Sequence, residues 1–289
     1  MFSNKLYTPL RYPGGKGRFA PFIASIMTAN DLAGGHYLEP FAGGAGVALE
    51  LLIHGYASHI HINDADPAIY FFWKAVTEQP EDILRLLVDT PINMDQWYRW
   101  REIMLGNCEG TIAEKGFATL FINRTNRSGI LKAGVIGGKG QTGAYKMDAR
   151  FDKDAMSKRV RVIAERAESI SVYNEDAFGL LNQVSTRLPS NTLVYLDPPY
   201  YVKGKGLYRN FYRHEDHVAI ANTIRAENFK LPWVVSYDNT PEICAIYEGT
   251  RSLAYSLNYT AQKRYHGDEV MFFPDELIIP DEHLPRKRA

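Results

Sequence analysis

Three stretches decide the fold: Tyr37-Leu-Glu-Pro-Phe-Ala-Gly43-Gly-Ala-Gly46, His59-Ile-His-Ile-Asn-Asp64 and Leu193-Val-Tyr-Leu-Asp-Pro-Pro-Tyr200. In the first, a short strand over Tyr37 to Phe41 runs into a glycine cluster, and Val47 to Ile53 then carries a helical pattern. His59 to Ile62 is a second strand, ending at Asn63-Asp64, so the unit is βαβ. Working outward, Arg18 to Met27 is expected to be helical. Ile170 to Tyr173, Leu193 to Leu196, Trp233 to Ser236 and Val270 to Phe273 are expected to be short buried strands, with helices near Asp176 to Arg187 and Glu215 to Glu227. Strands alternating with helices predict an α/β, doubly wound, mostly parallel sheet covered on both faces.

From Pro67 to Arg166 the pattern changes. Helical periodicity covers Ile69 to Thr77, Glu81 to Val88, Asp95 to Leu105 and Ile112 to Asn123, followed by a glycine-rich stretch, Ser128 to Tyr145, that suits turns or a hairpin. The expected organisation is a catalytic domain of residues 1–66 and 167–289 with a mainly helical domain, 67–166, inserted into it. Net charge is zero, 33 basic against 33 acidic side chains, so partner preference must come from placement. Between Glu114 and Asp148 lie Lys115, Arg124, Arg127, Lys132, Lys139 and Lys146 without one acid. Between Asp197 and Glu215, Lys203, Lys205, Arg209 and Arg213 alternate with tyrosines and Phe211. Cations among aromatics suit a phosphate backbone with bases to stack on, and a plain solvated face is the competing explanation.

Composition excludes other classes. Hydrophobic residues at 45% and charged residues at 23% describe a folded globular chain. The two cysteines, Cys108 and Cys244, form no disulfide framework or zinc motif, which fits a reducing cytoplasm. No stretch has the length and apolarity of a membrane span. The pairs His59/His61 and His214/His217 lack a third ligand at metal spacing, so no metal site is expected.

Asp197-Pro-Pro-Tyr200 carries the chemistry. It follows a buried strand, where open parallel sheets place their ligand crevice. The lone pair of an exocyclic amino group is delocalised into its base. A carboxylate (Asp197) and a carbonyl (Pro198) that accept its hydrogens localise that pair; Pro199 stiffens the turn, and Tyr200 offers a flat face to an extruded base. The cluster Gly43 to Gly46 lets backbone approach a ligand at a helix N-terminus. Asp64, about 20 residues on, sits where an acid receives ribose hydroxyls. A dinucleotide fingerprint fails at Leu49, and an ATP-binding loop fails because Gly17 follows Lys16 and Gly140 follows Lys139. Tyr12-Pro-Gly-Gly-Lys16 joins an aromatic, a flexible turn and a cation, and on its own reads first as a surface turn.

In this order, Arg11-Tyr-Pro-Gly-Gly-Lys16, Glu39 to Gly46, Asn63-Asp64, Phe121-Ile-Asn-Arg124 and Asp197-Pro-Pro-Tyr200 resemble the Dam-type DNA adenine-N6 methyltransferases over nearly the whole chain. The resemblance implies a Rossmann-like methyltransferase fold, S-adenosylmethionine as cofactor, double-stranded DNA as partner, and the insert as target-recognition domain. It implies that Tyr12, Pro13, Gly14, Lys16, Glu39, Phe41, Gly43 and Gly46 surround the cofactor, that Asp64 takes its ribose, and that Asp176 with Phe178 meets its adenine. Asp197, Pro198, Pro199 and Tyr200 would hold the target base. Arg124 and Arg127 are expected at base edges, unless one of them is buried against the catalytic domain as a structural ion-pair partner, and Lys132, Lys139, Lys146, Lys203 and Arg209 at phosphates. The loop Gly129 to Arg150 departs from the GATC-methylating members, so their site preference does not transfer, and no role follows for residues after Asn258. A cognate restriction endonuclease is a conceivable partner. The alternatives are RNA adenine-N6 methylation and a DNA-binding protein with a vestigial site; asparagine at position 197 would have suggested glutamine methylation, and serine cytosine-N4 methylation.

Overall fold

The computed structural model describes residues 2, 7–12, 15–201, 212–259 and 265–281. Seven strands form one sheet: β1 (Gly35–Glu39), β2 (Ala57–Asn63), β3 (Ile170–Tyr173), β4 (Thr192–Leu196), β5 (Trp233–Asp238), β6 (Arg251–Tyr259) and β7 (Tyr265–Phe273), in the order β3-β2-β1-β4-β5-β7-β6. The first five are parallel, with Tyr37 of β1 in register with Ile60 and Leu193 on either side. Because the chain winds outward from β1 in one direction and from β4 in the other, the order reverses between these two strands. The crevice at such a switch point is where open α/β sheets bind ligands. Glu39-Pro-Phe41 and Asp197 to Tyr200 leave the sheet there.

Ten helices accompany the sheet among the described residues: α1 (Ala20–Ala29), α2 (Gly46–Ile53), α3 (Pro67–Glu78), α4 (Pro80–Asp89), α5 (Met94–Leu105), α6 (Ile112–Thr125), α7 (Lys153–Ala164), α8 (Ala177–Arg187), α9 (His214–Arg225) and α10 (Pro241–Ile246). Alternation along the strands divides the core. Tyr37, Leu193, Tyr195, Val234 and Met271 pack with α1, α2 and α3, while Leu38, Val194, Leu196, Val235 and Phe272 pack with α8, α9 and α10. The doubly wound arrangement follows from strands apolar on both faces.

Two features of the fold differ from the sequence reading. The last strand begins at Tyr265, runs antiparallel to β5, and pairs with an unforeseen edge strand, β6. Residues 67–166 do not enclose a separate core: Trp73, Phe117, Phe121 and Met156 belong to the same continuous cluster as Ile60 and Ile62 of the sheet. The segment lies on one face of the sheet as a second helical layer. α3 and α6 cross tightly at Gly116, where an added Cβ would collide with the Ala75 side chain and the Phe71 carbonyl. Beyond α6 the chain turns through Ser128, Gly129, Gly137, Gly138 and Gln141, all at positive φ, with one bridge between Asn126 and Val135 in place of a regular hairpin. Among the described residues no helix is long and apolar enough to cross a membrane.

Candidate active site

At the carboxyl end of β1 the chain turns sharply. Gly43 has φ +46° and Ala45 φ +45°, and α2 starts at the next residue. The turn is tied on three sides: Gly43 N–H donates to Asp64 Oδ2 at 2.9 Å, Trp73 Nε1 donates to the Gly43 carbonyl at 2.9 Å, and Ala48 N–H at the start of α2 donates to Glu39 Oε1 at 3.0 Å. Tyr12 lies over the turn so closely that a Cβ on Gly43 would come within 2.6 Å of its ring. Gly46 packs against the N-terminal segment, where a Cβ would stand 3.2 Å from the backbone of Gly17. The result is a concave wall of backbone and one aromatic ring.

The carboxylates of this wall are perturbed. Glu39 is buried and pushed up to about 8, chiefly by desolvation, although Tyr37 Oη and Ala48 N–H donate to it. Asp64 is raised to about 7 by burial, against the opposing pull of N–H donors from Asp66 and Gly43. Asn63 joins the two loops, donating to the Pro40 and Glu175 carbonyls and accepting from Glu175 N–H. Across the crevice, Tyr212 meets Phe41 edge-on at 5.6 Å and lies within the electrostatic reach of Asp64 and Asp176. Asp176 itself caps α8 through Gly179 N–H, and the Phe178 side chain is exposed. Pro13, Gly14, Lys203 and Arg209 lie outside the described residues.

Asp197 emerges from β4 into a dense polar centre. Its Oδ1 accepts from Ser236 Oγ of β5 at 2.9 Å and lies 3.7 Å from Lys16 Nζ. Oδ2 has no hydrogen-bond partner among the described residues. Pro198 is buried and Pro199 half-buried, so the turn is held firmly. Burial raises Asp197 to about 6; the Lys16 ammonium opposes this and Glu269 adds to it. Expected beside the cofactor, Lys16 has its ammonium buried here, paired with Glu269 Oε2 of β7 and 3.4 Å from Tyr200 Oη. Tyr200, expected to offer a flat face to a base, is 5% exposed, and its hydroxyl donates to Glu269 Oε1 at 2.9 Å.

The insert corrects one further expectation. Arg124 does not point outward to a base edge; its guanidinium donates from Nε and from a terminal nitrogen to the Pro9 carbonyl, because α6 carries it against the segment leading to Tyr12. Asn123 brackets Arg11 through both its N–H and its carbonyl, and Arg159 of α7 donates to the Thr8 carbonyl. Arg127, Lys132, Lys139 and Lys146 are exposed, with Lys146 Nζ turned onto the Gln141 carbonyl. Among the described residues no group of His, Cys, Asp or Glu side chains is arranged to hold a metal ion. His61 bonds His36 and Tyr173, and His59 bonds Ser171.

Glu269, Ser236 and Tyr212 went unassigned in the sequence. Only Tyr212 carried a signal, as an aromatic in the basic stretch before α9.

Solved structures resemble the chain only distantly. A candidate RNA methyltransferase from Pyrococcus horikoshii shares 11% identity at a TM-score of 0.42, covering 94% of this chain and 90% of that one. A SAM-dependent methyltransferase from Agrobacterium tumefaciens shares 11% at 0.40, covering 90% of this chain and 62% of that one. A search of the curated proteins gave no significant match. The family model for D12 class N6 adenine-specific DNA methyltransferases, in contrast, matches residues 12–264, a span that runs from Tyr12 over the glycine turn past Asp197-Pro-Pro-Tyr200 and β6. The chain belongs to the D12 class N6 adenine-specific DNA methyltransferase family.

Proposed function

We propose that the protein moves a methyl group from S-adenosylmethionine to N6 of an adenine turned out of duplex DNA. The observation that carries this reading is the asymmetry of Asp197: Oδ1 is held by Ser236 and faced by Lys16, while Oδ2 has no described partner at the mouth of the switch-point crevice. A carboxylate fixed through one oxygen presents the other in a defined direction. Together with the Pro198 carbonyl it would draw the amino hydrogens out of the ring plane and return the lone pair to nitrogen.

The residues present fit the cofactor. The turn at Gly43 leaves no room for a side chain under Tyr12, so backbone forms the wall, and α2 begins three residues on at Gly46, with its N-terminus beside the turn. Tyr12, the Gly43-Gly44 backbone, Asp64, Phe41, Tyr212 and Asp176 would hold the cofactor. Its sulfonium supplies an electrophilic methyl and departs as a neutral thioether. The helical layer of residues 67–166 would carry DNA recognition through Arg127 and the exposed lysines of the Ser128 to Lys146 loop.

The test is transfer of a labelled methyl group from S-adenosylmethionine to unmethylated duplex DNA and to RNA, followed by nucleoside analysis. N6-methyladenine in DNA alone, lost in Asp197→Ala with cofactor affinity within a few fold, is the expected result. Removing such a transition-state acceptor costs on the order of a hundredfold or more in rate. Label appearing in RNA alone would favour RNA adenine as substrate, and label at another base would overturn the role given to Asp197.

A further inference from the structure

The final hairpin brings one carboxylate of β7 under the catalytic loop. Glu269 is 1% exposed and uses both oxygens: Oε1 accepts from Tyr200 Oη, and Oε2 accepts from Tyr255 Oη at 2.6 Å and from Lys16 Nζ. Lys16, with a side chain 3% exposed, bridges this carboxylate to Asp197. One cation therefore stands between two acids in a site shielded from water. A lone buried charge is costly, and removing one partner of such a group leaves the others uncompensated.

We propose that Lys16 and Glu269 form a buried positioning pair that sets the charge and aim of the Asp197 carboxylate and fixes the tilt of Tyr200, so that the N-terminal segment and the last strand both determine the competence of the base-binding loop. This rests on Asp197 being the acceptor of the adenine amino group. Two consequences follow from the geometry. Lys16 favours the ionised form of Asp197, the form that accepts hydrogens. Glu269 keeps Lys16 at a distance of 3.7 Å from Oδ1, too far for a tight pair that would neutralise the acceptor. Among the described residues, the other ionisable or polar groups that interact with Asp197 are Glu39 and Tyr37 from β1, Tyr195 from β4, Ser236 from β5 and Tyr255 from β6.

Charge and packing can be separated by the acid side of the pH profile of kcat, measured with saturating S-adenosylmethionine and unmethylated genomic DNA. Glu269→Gln keeps the shape and removes a negative neighbour, so the acid limb should move to lower pH, on the order of one unit. Lys16→Gln removes the cation, and its limb should move to higher pH by a similar amount. Tyr255→Phe removes one hydrogen bond to Glu269 without altering charge, and its limb should stay where the wild-type limb lies. Cofactor affinity by calorimetry should remain within about threefold for Glu269→Gln. A merely structural role would lower rates while leaving every limb in place. If the limbs of both charge variants coincided with wild type, the positioning pair would be refuted. If Glu269→Gln failed to fold, Lys16→Gln alone would decide by the same criterion. Retention of full activity by Asp197→Ala would instead refute the underlying assignment of the acceptor, which keeps the two failures distinct.

Discussion

A methyl group added at Gly43 has no room. The residue has φ +46°, and the new Cβ would stand 2.6 Å from the Tyr12 ring. The left-handed backbone costs an alanine roughly 1 to 2 kcal/mol, so Gly43→Ala should lower Tm by roughly 2 to 8 °C in a chain of this size. The clash is a separate matter. It is relieved only by moving the ring, because the Gly43 backbone is pinned to Asp64 on one side and to Trp73 on the other. A displaced Tyr12 forfeits aromatic packing worth about 0.5 to 1.5 kcal/mol, a roughly two- to tenfold loss of S-adenosylmethionine affinity. Gly179→Ala is the matched control: nothing lies within 4 Å of a Cβ there, and α8 is helical at that point. It should raise stability by about 0.4 to 1 kcal/mol and leave affinity alone. The measurement is Tm by calorimetry together with cofactor titration of both variants. A fall in Tm for Gly43→Ala with affinity unchanged would remove Tyr12 from the cofactor site.

Three other outcomes are expected. Because Asp197 is raised to about 6 and acts as an anion, the rate should fall as pH drops through about 6; a midpoint near 4 would mean that the acceptor is not this carboxylate. Arg124→Ala should cost about 2 kcal/mol in stability by losing charged hydrogen bonds to Pro9 without changing which sites are methylated, whereas Arg127→Ala should relax the preference at particular base pairs; rates across a site library distinguish them. Activity should persist in EDTA, since the departing thioether is neutral and needs no Lewis acid, and its loss on chelation, with recovery on adding a divalent metal, would overturn that account.

The legible parts of the fold were those written in local pattern. β3 spans the expected Ile170 to Tyr173, where β-branched Ile170 and Val172 alternate with Ser171 and Tyr173, and α6 opens where Thr111 and Glu114 form a capping box. β6 carries an alternation at Leu253, Tyr255, Leu257 and Tyr259, but it is an edge strand whose pairing depends on the antiparallel β7, and local pattern does not specify that partner. In the site, Asp197 and Asp64 could be placed because each ends a strand. Lys16 and Glu269 are 253 positions apart, and no periodicity relates them. Only the closing of β7 against β5 brings Glu269 beneath the loop, so its role belongs to tertiary structure alone. Arg124 was misjudged for a related reason: a cation in an acid-free run looks like a ligand for phosphate or base until the chain terminus that it clasps has been folded against it.

That clasp bears on re-engineering of specificity. Arg124, Arg159 and Asn123 hold Thr8, Pro9 and Arg11 entirely through main-chain atoms. Main-chain partners carry no sequence information, so these hydrogen bonds are indifferent to the side chains at positions 8, 9 and 11, and the side-chain requirement of the segment falls on Leu10, which is buried in the core, and on Tyr7 and Tyr12, which pack against it. A helical layer borrowed from a relative with another recognition site should therefore accept this protein's own leader, provided that it supplies an Asn-Arg pair at the end of α6 and an arginine on α7. A chimaera could then exchange its reading head while keeping the tyrosine that roofs the glycine turn.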